Sequence, residues 1–474
     1  MNVLDIAILY TLIFSPIIAA FFISLIPSID TGSKVTLSRF FAGVGFASFI
    51  RIFFIFLEKK IINQDLLLVG FTQLDIHLII VLSKQNIFLY GAASAALLAN
   101  MYLYEFNDTK SNIHHVAPFV LTFVLYITLC QNNIRISLPI ISIASFIIYF
   151  LIGYGSKSRR GSTIFQMGIS IFTCDAIALV LLQYRSTAPN DSFLYSALHL
   201  AIILPGLSRL CLPMCAPFAQ KLFLNIDDRE GPFLIIFLQL AGFLVLTFIR
   251  NEMGTIPHQF SLVVGLVATI SALYVAILAV SELRKKLIPY YFLVFYSSMS
   301  AASLFFSTND VYWYISTSLF LTNITCFFYA TKASALLDQY GAIQPYNQAK
   351  LRANWFIAMG LLAGIPGLGI GASLWPAIFL FAKSQVFAVA KGYENTWILT
   401  GIIWGLSLIL LSFALMRNVN AINYPKQNVQ TGALFEQRLL FSSWVYVALL
   451  SWLIPIVTII ASSNLASGSI FNHE

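Results

Sequence analysis

Charge is what this sequence has least of. Asp, Glu, Lys and Arg make up 10% of its 474 residues, against about 25% in a soluble domain. A chain so poor in charge cannot solvate the surface of an ordinary globule, which excludes the soluble classes. Histidine (six residues) and cysteine (five) are also scarce. Cys130, Cys174, Cys211, Cys215 and Cys326 all lie in or beside apolar runs. Only Cys211 and Cys215 stand one turn apart, with no His or second Cys pair nearby, so they read as small core thiols and no metal site is expected. Neither a phosphate-binding loop nor a dinucleotide fingerprint is present, so no cofactor is expected and any transport would draw on an ion gradient or a partner subunit. No loop between apolar runs is long enough to fold alone, and no soluble domain is expected.

What is there is hydrocarbon. Hydrophobic residues reach 59%, and they come in runs long enough to cross a bilayer, which takes about 20 apolar residues. The expectation is an all-α polytopic membrane protein of about fourteen transmembrane helices, centred near residues 16, 46, 94, 124, 145, 173, 206, 241, 269, 297, 321, 367, 406 and 451. The N-terminus lacks a basic region and a small-residue cleavage site and is read as the first span. Between the second and third spans, Leu67 to Ser83 alternates in character (LDIHLIIVLS) and reads as an extended or interfacial stretch.

Two of the apolar runs break in the middle. In Leu194 to Ala216 (LYSALHLAIILPGLSRLCLPMCA) the interruptions are Pro205, Gly206 and Pro213. In Trp355 to Lys383 they are Gly364, Pro366, Gly367, Gly369, Gly371 and Pro376. Proline removes a backbone donor and clashes with the carbonyl one turn back. Freed backbone groups at membrane depth persist only where protein or a water-filled cavity satisfies them. Two interrupted spans at matching places in two halves of a chain point to an ion or substrate path between inverted repeats. The expected divisions are residues 1–110 (N-terminal helices), 111–255 and 256–416 (two five-helix repeats, each with a broken helix), and 417–474 (a loop and the last span).

The net charge of +8 is scattered singly between spans, so it signals orientation and not a nucleic-acid partner. Of the 27 Lys and Arg residues, 17 fall in loops after odd-numbered spans and 7 on the other side. By the positive-inside rule the odd loops face the cytoplasm and both termini lie outside, in what is expected to be a bacterial inner (plasma) membrane.

Several stretches resemble one family, the antiporter-like membrane subunits shared by respiratory complex I, Mrp cation/proton antiporters and membrane-bound hydrogenases. Ser281 to Ser300 (SELRKKLIPYYFLVFYSSMS) is similar to its acidic-x-Lys-Arg-x-Leu-x-Tyr-Ser segment. Gly364 to Trp375 (GIPGLGIGASLW) resembles its run at the second broken helix, and Leu321 to Ile343 falls where it carries a His-Ala-Leu-Phe-Lys-Ala helix. Ile171 to Leu182 places Asp175 at an Arg-x-Gly-Asp position. The resemblance covers about residues 80 to 385. It implies a proton- or cation-translocating subunit of a multi-subunit complex, related to NADH-quinone oxidoreductase if part of an enzyme. The family's relay residues are largely replaced: Ser142 stands at its glutamate, Ser208 beside Arg209 at its first lysine, Phe327 and Leu374 at later ones. Arg hardly deprotonates, and Ser, Phe and Leu cannot relay protons. One branch also lacks that glutamate, the membrane subunit of DabA–DabB-type inorganic carbon uptake complexes, which couples to a soluble zinc-containing partner. That branch, with bicarbonate or CO2 as cargo, stays open, as does a non-conducting scaffold.

The candidate ion path comprises Asp175, Arg209, His199, Glu282, Lys285 and Lys286. An ionised group such as Asp175 in mid-span costs about 2.5–3.5 kcal/mol or more, which calls for a reason. Arg209, between Pro205 and Pro213, could attract an anion, gate a cation path, or pair with a buried carboxylate such as Asp175. His199 titrates near neutral pH and reads either as part of the path or as a satisfied core residue. Glu282, Arg284, Lys285 and Lys286 precede a span and read as membrane anchors or as an access half-channel. Asp227, Asp228 and Glu230 form an acidic loop suited to docking a partner. Lys332 and Lys383 are expected to snorkel from span ends.

Overall fold

A computed structural model describes residues 3–26, 30–59, 64–71, 76–82, 84–103, 112–131, 134–154, 161–185, 193–213, 215–216, 219–220, 223, 231–253, 258–282, 284–306, 310–340, 345–383, 394–421, 447, 449 and 451–457. Helices carry almost all of it. They are α1 (Val3–Leu25), α2 (Thr31–Lys59), α3 (Lys84–Leu103), α4 (Asn112–Cys130), α5 (Ile134–Tyr154), α6 (Gly161–Arg185) and α7 (Phe193–Arg209). They continue as α8 (Gly231–Met253), α9 (His258–Ser281), α10 (Leu287–Phe306), α11 (Asp310–Tyr340), α12 (Pro345–Leu362), α13 (Gly371–Lys383) and α14 (Glu394–Ala421).

The all-α architecture holds, with one short hairpin in the stretch expected to be extended. Gln64–Phe71 (β1) and Ile76–Leu82 (β2) pair antiparallel, Gln64 opposite Leu82 and Phe71 opposite Ile76, with a bulge between Leu67 and Val69. Alternation along β2 is the period of a strand, and the run is too short to span.

Six helical segments among the described residues are long and apolar enough to cross a membrane: Leu4–Leu25, Gly32–Phe56, Gly231–Ile249, Val263–Ser281, Leu287–Phe305 and Glu394–Asn418. Shorter apolar helices run over His115–Cys130, Ile134–Ile148, Gly168–Gln183 and Leu351–Leu362. Many hydroxyls within the helices are satisfied locally: Thr122 donates to the Pro118 carbonyl at 2.8 Å, Ser298 to Val294 at 2.7 Å and Thr317 to Trp313 at 2.8 Å. This one-turn back-bonding lets Ser and Thr sit in apolar surroundings. Where a helix begins in a polar loop the cap is conventional: Asp30 Oδ1 accepts the Ser33 amide at 3.0 Å at the start of α2. Hydrogen bonds from the Ser33 hydroxyl and, to a lesser extent, the Ser33 amide hold the Asp30 carboxyl below its ordinary pKa.

Two compact units divide the chain, residues 1–210 with 225–254, and residues 211–224 with 255–474. In the first, α1 packs on α2 and α4, α6 on α5 and α7, and α8 on α7, α3 and α5. In the second, α10 packs on α9 and α11, α9 also on α14, and α11 on α12 and α13. Gly231–Ile249 of α8 and Leu287–Phe305 of α10 are buried over their whole apolar length, as expected of helices that are apolar all round. Peripheral helices show the opposite pattern: Ile402, Leu406, Ile409, Phe413 and Met416 form an exposed stripe along α14. Spaced alternately by four and three residues, they make a face for lipid. The chain is a multi-pass membrane protein.

Two lysines are buried within helices. Lys34 is 1% exposed in the first turn of α2. Lys332 is 8% exposed within α11, which continues to Tyr340. Lys383 does end α13 and lies 4.8 Å from the centre of the Phe379 ring.

Candidate functional site

The site in the first unit is built where α7 stops. Pro205 lies inside α7, and its carbonyl accepts Ser208 Oγ at 3.0 Å and Arg209 Nη1 at 3.1 Å. Arg209 is the last residue of the helix, and two residues on, Cys211 takes φ 59°. A left-handed residue just past the end terminates a helix.

Arg209 is fully buried, and Asp175 of α6 is 1% exposed. The guanidinium grips the carboxylate with two nitrogens, Nη1 to Oδ1 at 2.6 Å and Nη2 to Oδ2. Ser142 of α5 donates to the same Oδ2, and Arg209 Nε donates to Ser145 Oγ, also of α5, at 3.3 Å. The bidentate geometry is the strongest form of this pair. It meets the condition for burying charge, namely that the partner and the remaining donors are all supplied. Ser142, at the position the family resemblance assigns to a glutamate, thus serves as a hydrogen-bond donor to a carboxylate that comes from α6.

α8 closes the site from behind. Gln239 Nε2 donates to the Leu210 carbonyl at 2.7 Å, capping the end of α7. A Cβ on Gly242 would meet Gly206 O at 2.8 Å, Arg209 Cβ at 2.9 Å and Leu210 N at 2.9 Å. Only a bare backbone lets α8 approach the charged end of α7 so closely. Gly242→Ala should push the two helices apart and cost about 1–3 kcal/mol, read as a lower unfolding temperature in detergent.

A second cluster lies in the other unit, at the turn between α9 and α10. Glu282 is 9% exposed. It accepts Arg284 Nε and Nη2, each at 2.8 Å, and the Tyr291 hydroxyl at 3.3 Å; Tyr291 in turn accepts Gln220 Nε2 at 2.6 Å. Its hydrogen bonds to Glu282 push the Arg284 guanidinium up from its ordinary pKa. Since Arg284 is mostly exposed, that ion pair adds little stability. Lys286 Nζ stands 5.7 Å from the centre of the Phe223 ring.

Within the same unit α11 carries a polar stripe, Ser318, Thr322, Thr325, Tyr329 and Lys332, spaced four, three, four and three residues apart so that they share a face. Ser373 of α13 bridges Ser318 at 3.0 Å and Thr322 at 2.7 Å. Among the described residues the buried Tyr329 hydroxyl has no hydrogen-bond partner, nor have Ser316 Oγ, Ser334 Oγ, Asn323 Oδ1 or either polar side-chain atom of Asn354. Buried polar atoms left in this state are normally satisfied by water.

Asp175 and Arg209 are therefore brought together, while Glu282, Lys285 and Lys286 share one turn of the other unit. His199 lies on α7, six residues before Pro205. Asp227, Asp228 and Glu230 fall outside the described residues. Among the described residues no group of three or more His, Cys, Asp and Glu could hold a metal ion. Sequence reasoning passed over Gln239, whose signal is plain in retrospect: it is the one large polar side chain in the apolar run Gly231–Ile249. It also passed over Ser145 and Gln220, which carry no such signal.

No protein-family model and no curated protein matches the sequence. Solved structures do. A chain of respiratory complex I from Thermus thermophilus superposes with a TM-score of 0.71 at 13% identity, covering 95% of this chain and 98% of that one. A chain of the membrane-bound sulfane sulfur reductase, an archaeal respiratory membrane complex, gives 0.75 at 12% identity over 95% and 96%. One from the Mrp complex of Dietzia sp. DQ12-45-1b gives 0.69 at 11% identity over 91% and 82%. At these identities the likeness is one of fold, and it spans nearly the whole chain.

Proposed function

We propose that this protein, which shares its fold with membrane chains of respiratory complex I, the sulfane sulfur reductase and the Mrp complex, is a proton- or small-cation-translocating subunit of a multi-subunit membrane assembly. Its fourteen spans would include two broken ones, α7 with the segment after it and α12 with α13, in two inverted repeats. Both termini would lie outside a bacterial plasma membrane. The observation that carries this reading is the buried, bidentate Asp175–Arg209 pair at the broken end of α7.

Arg209 keeps its proton, so a proton crossing the first unit must rest on Asp175. Protonating that carboxylate frees the guanidinium, and Ser142 and Ser145 supply oxygens that can hold either charge. His199 stands along the same helix. In the second unit the α11 stripe offers hydroxyls for a water file that ends at Lys332, a group able to gain and lose a proton, with Glu282 at the unit's polar turn. The acidic stretch at Asp227, Asp228 and Glu230 serves as a docking loop for a partner.

Purification from the native membrane in mild detergent, followed by mass spectrometry, tests the assembly. Other antiporter-like or quinone-linked subunits support it, and recovery of the protein alone counts against it. A single large soluble zinc protein would move the case to inorganic carbon uptake. For ion movement, the complex in liposomes should show cation-dependent proton flux. Lys332→Gln should cut that flux on the order of a hundredfold, the weight of one positioned proton-transfer group. Unchanged flux would remove the second-unit path.

A further inference from the structure

Beside the Glu282 turn, the second unit has an apolar cavity of ≈ 230 Å³. Ile270, Tyr274 and Leu278 of α9 line one wall, and Tyr290, Tyr291 and Val294 of α10 another. The segment after α7 closes it through Pro213 and Ala216. Ile270, Tyr274 and Leu278 are successive turns of one helix face and run about 12 Å along α9. Ile270 and Tyr274 are 41% and 50% exposed, so the cavity opens on the outward apolar side of α9. Tyr291 and Gln220 on its walls are already bonded to each other, which leaves the lining with little call for a polar ligand.

Charge comes close to the Tyr290 wall. Leu278 and Tyr290 flank the turn that carries Arg284, Lys285 and Lys286. Arg284 is engaged by Glu282. Lys286 is held against Phe223, whose ring stacks on Tyr290 with centroids 5.0 Å apart. The Lys286 ammonium is thus held beside the Tyr290 wall of an apolar slot, and Lys285 precedes it in the same turn. An amphiphile with one anionic head and a long apolar tail matches both features.

We propose that this cavity binds one acyl chain of an anionic phospholipid whose phosphate is held by Lys285 and Lys286. The lipid is a structural ligand of the second unit, wedged against the segment that follows α7. This assignment takes the two lysines out of the ion path and stands independently of which ion the protein moves.

The test uses the full chain, with any subunits that co-purify, stripped of lipid in detergent and titrated with phosphatidylglycerol or phosphatidylcholine of the same chain length. Native mass spectrometry counts the lipids retained. Phosphatidylglycerol should bind preferentially, and Lys285→Gln with Lys286→Gln should weaken it roughly thirtyfold, about fivefold for each charge. Val294→Trp, which fills the slot, should abolish retention of that lipid. Equal retention of the two lipids, or an unaltered lysine variant, would overturn the proposal. So would full competition by soluble glycerol phosphate, which would mark a site for free phosphate with no use for the tail. Should Val294→Trp fail to fold, the lipid comparison and the lysine variant still decide.

Discussion

Asp175→Asn is expected to stop ion movement and to lower stability by about 3–5 kcal/mol, because it leaves the Arg209 guanidinium buried without a counter-charge. The loss should appear as a depressed unfolding temperature in detergent and as absent flux in liposomes. Folding and function can be separated by removing both charges at once. Asp175→Leu combined with Arg209→Met replaces the pair by apolar groups of similar size, a change that is often neutral or stabilising for buried pairs. That variant should recover most of the stability while remaining inactive. If the folded double variant still conducted, the pair would be a structural clamp and the path would lie elsewhere.

Gly369→Ala should be nearly as damaging. Gly369 has φ 53°, which costs an L residue roughly 1–2 kcal/mol. An added Cβ would also overlap the Leu361 carbonyl oxygen and lie 2.6 Å from Leu361 Cα. Backbone cannot swing aside as a side chain can, so overpacking adds about 1–3 kcal/mol or more. The whole connection between α12 and α13 is similarly tight. Ile370 N donates to Leu361 O at 2.9 Å, Trp375 Nε1 to Gly364 O at 3.0 Å, Tyr296 Oη to Leu362 O at 2.8 Å and Trp452 Nε1 to Gly367 O at 3.0 Å. The carbonyls freed by the interruption are thus met by side chains, the condition for irregular backbone among apolar helices. Gly360→Ala, in the last turn of α12 and with no atom closer than 3.8 Å to the new Cβ, is the control and should gain about 0.4–1 kcal/mol. Thermal unfolding of the two variants side by side checks both signs. Equal midpoints would mean that the connection yields more readily than its packing implies.

Much of the architecture was legible because hydropathy is a local sum. Where α8, α10 and α14 run could be read from apolar length alone, and the separation of α12 from α13 from the glycines between Gly364 and Gly371, whereas α7 runs past Pro205 to Arg209. The extended character of Leu67 to Ser83 was visible in its alternation, although β1 begins earlier, at Gln64. The burial of Lys332 was not legible, because a solvated lysine and one packed within a long helix look alike in a sequence.

The amino-acid order by itself therefore determined that this is a multi-pass membrane chain and that Asp175 is a costly residue in need of a reason. Only the tertiary structure decided what that reason is. Pairing with Asp175 was one reading of Arg209 beside anion attraction and gating of a cation path, since the phase of a helix is lost at each proline and a rotation of α7 by half a turn would have aimed the guanidinium elsewhere. Packing of α8 against α7 through Gly242, with Gln239 on the Leu210 carbonyl, sets that rotation. It places residues 34 positions apart in one bidentate contact, because a buried charge is tolerable only where its partner is held in register.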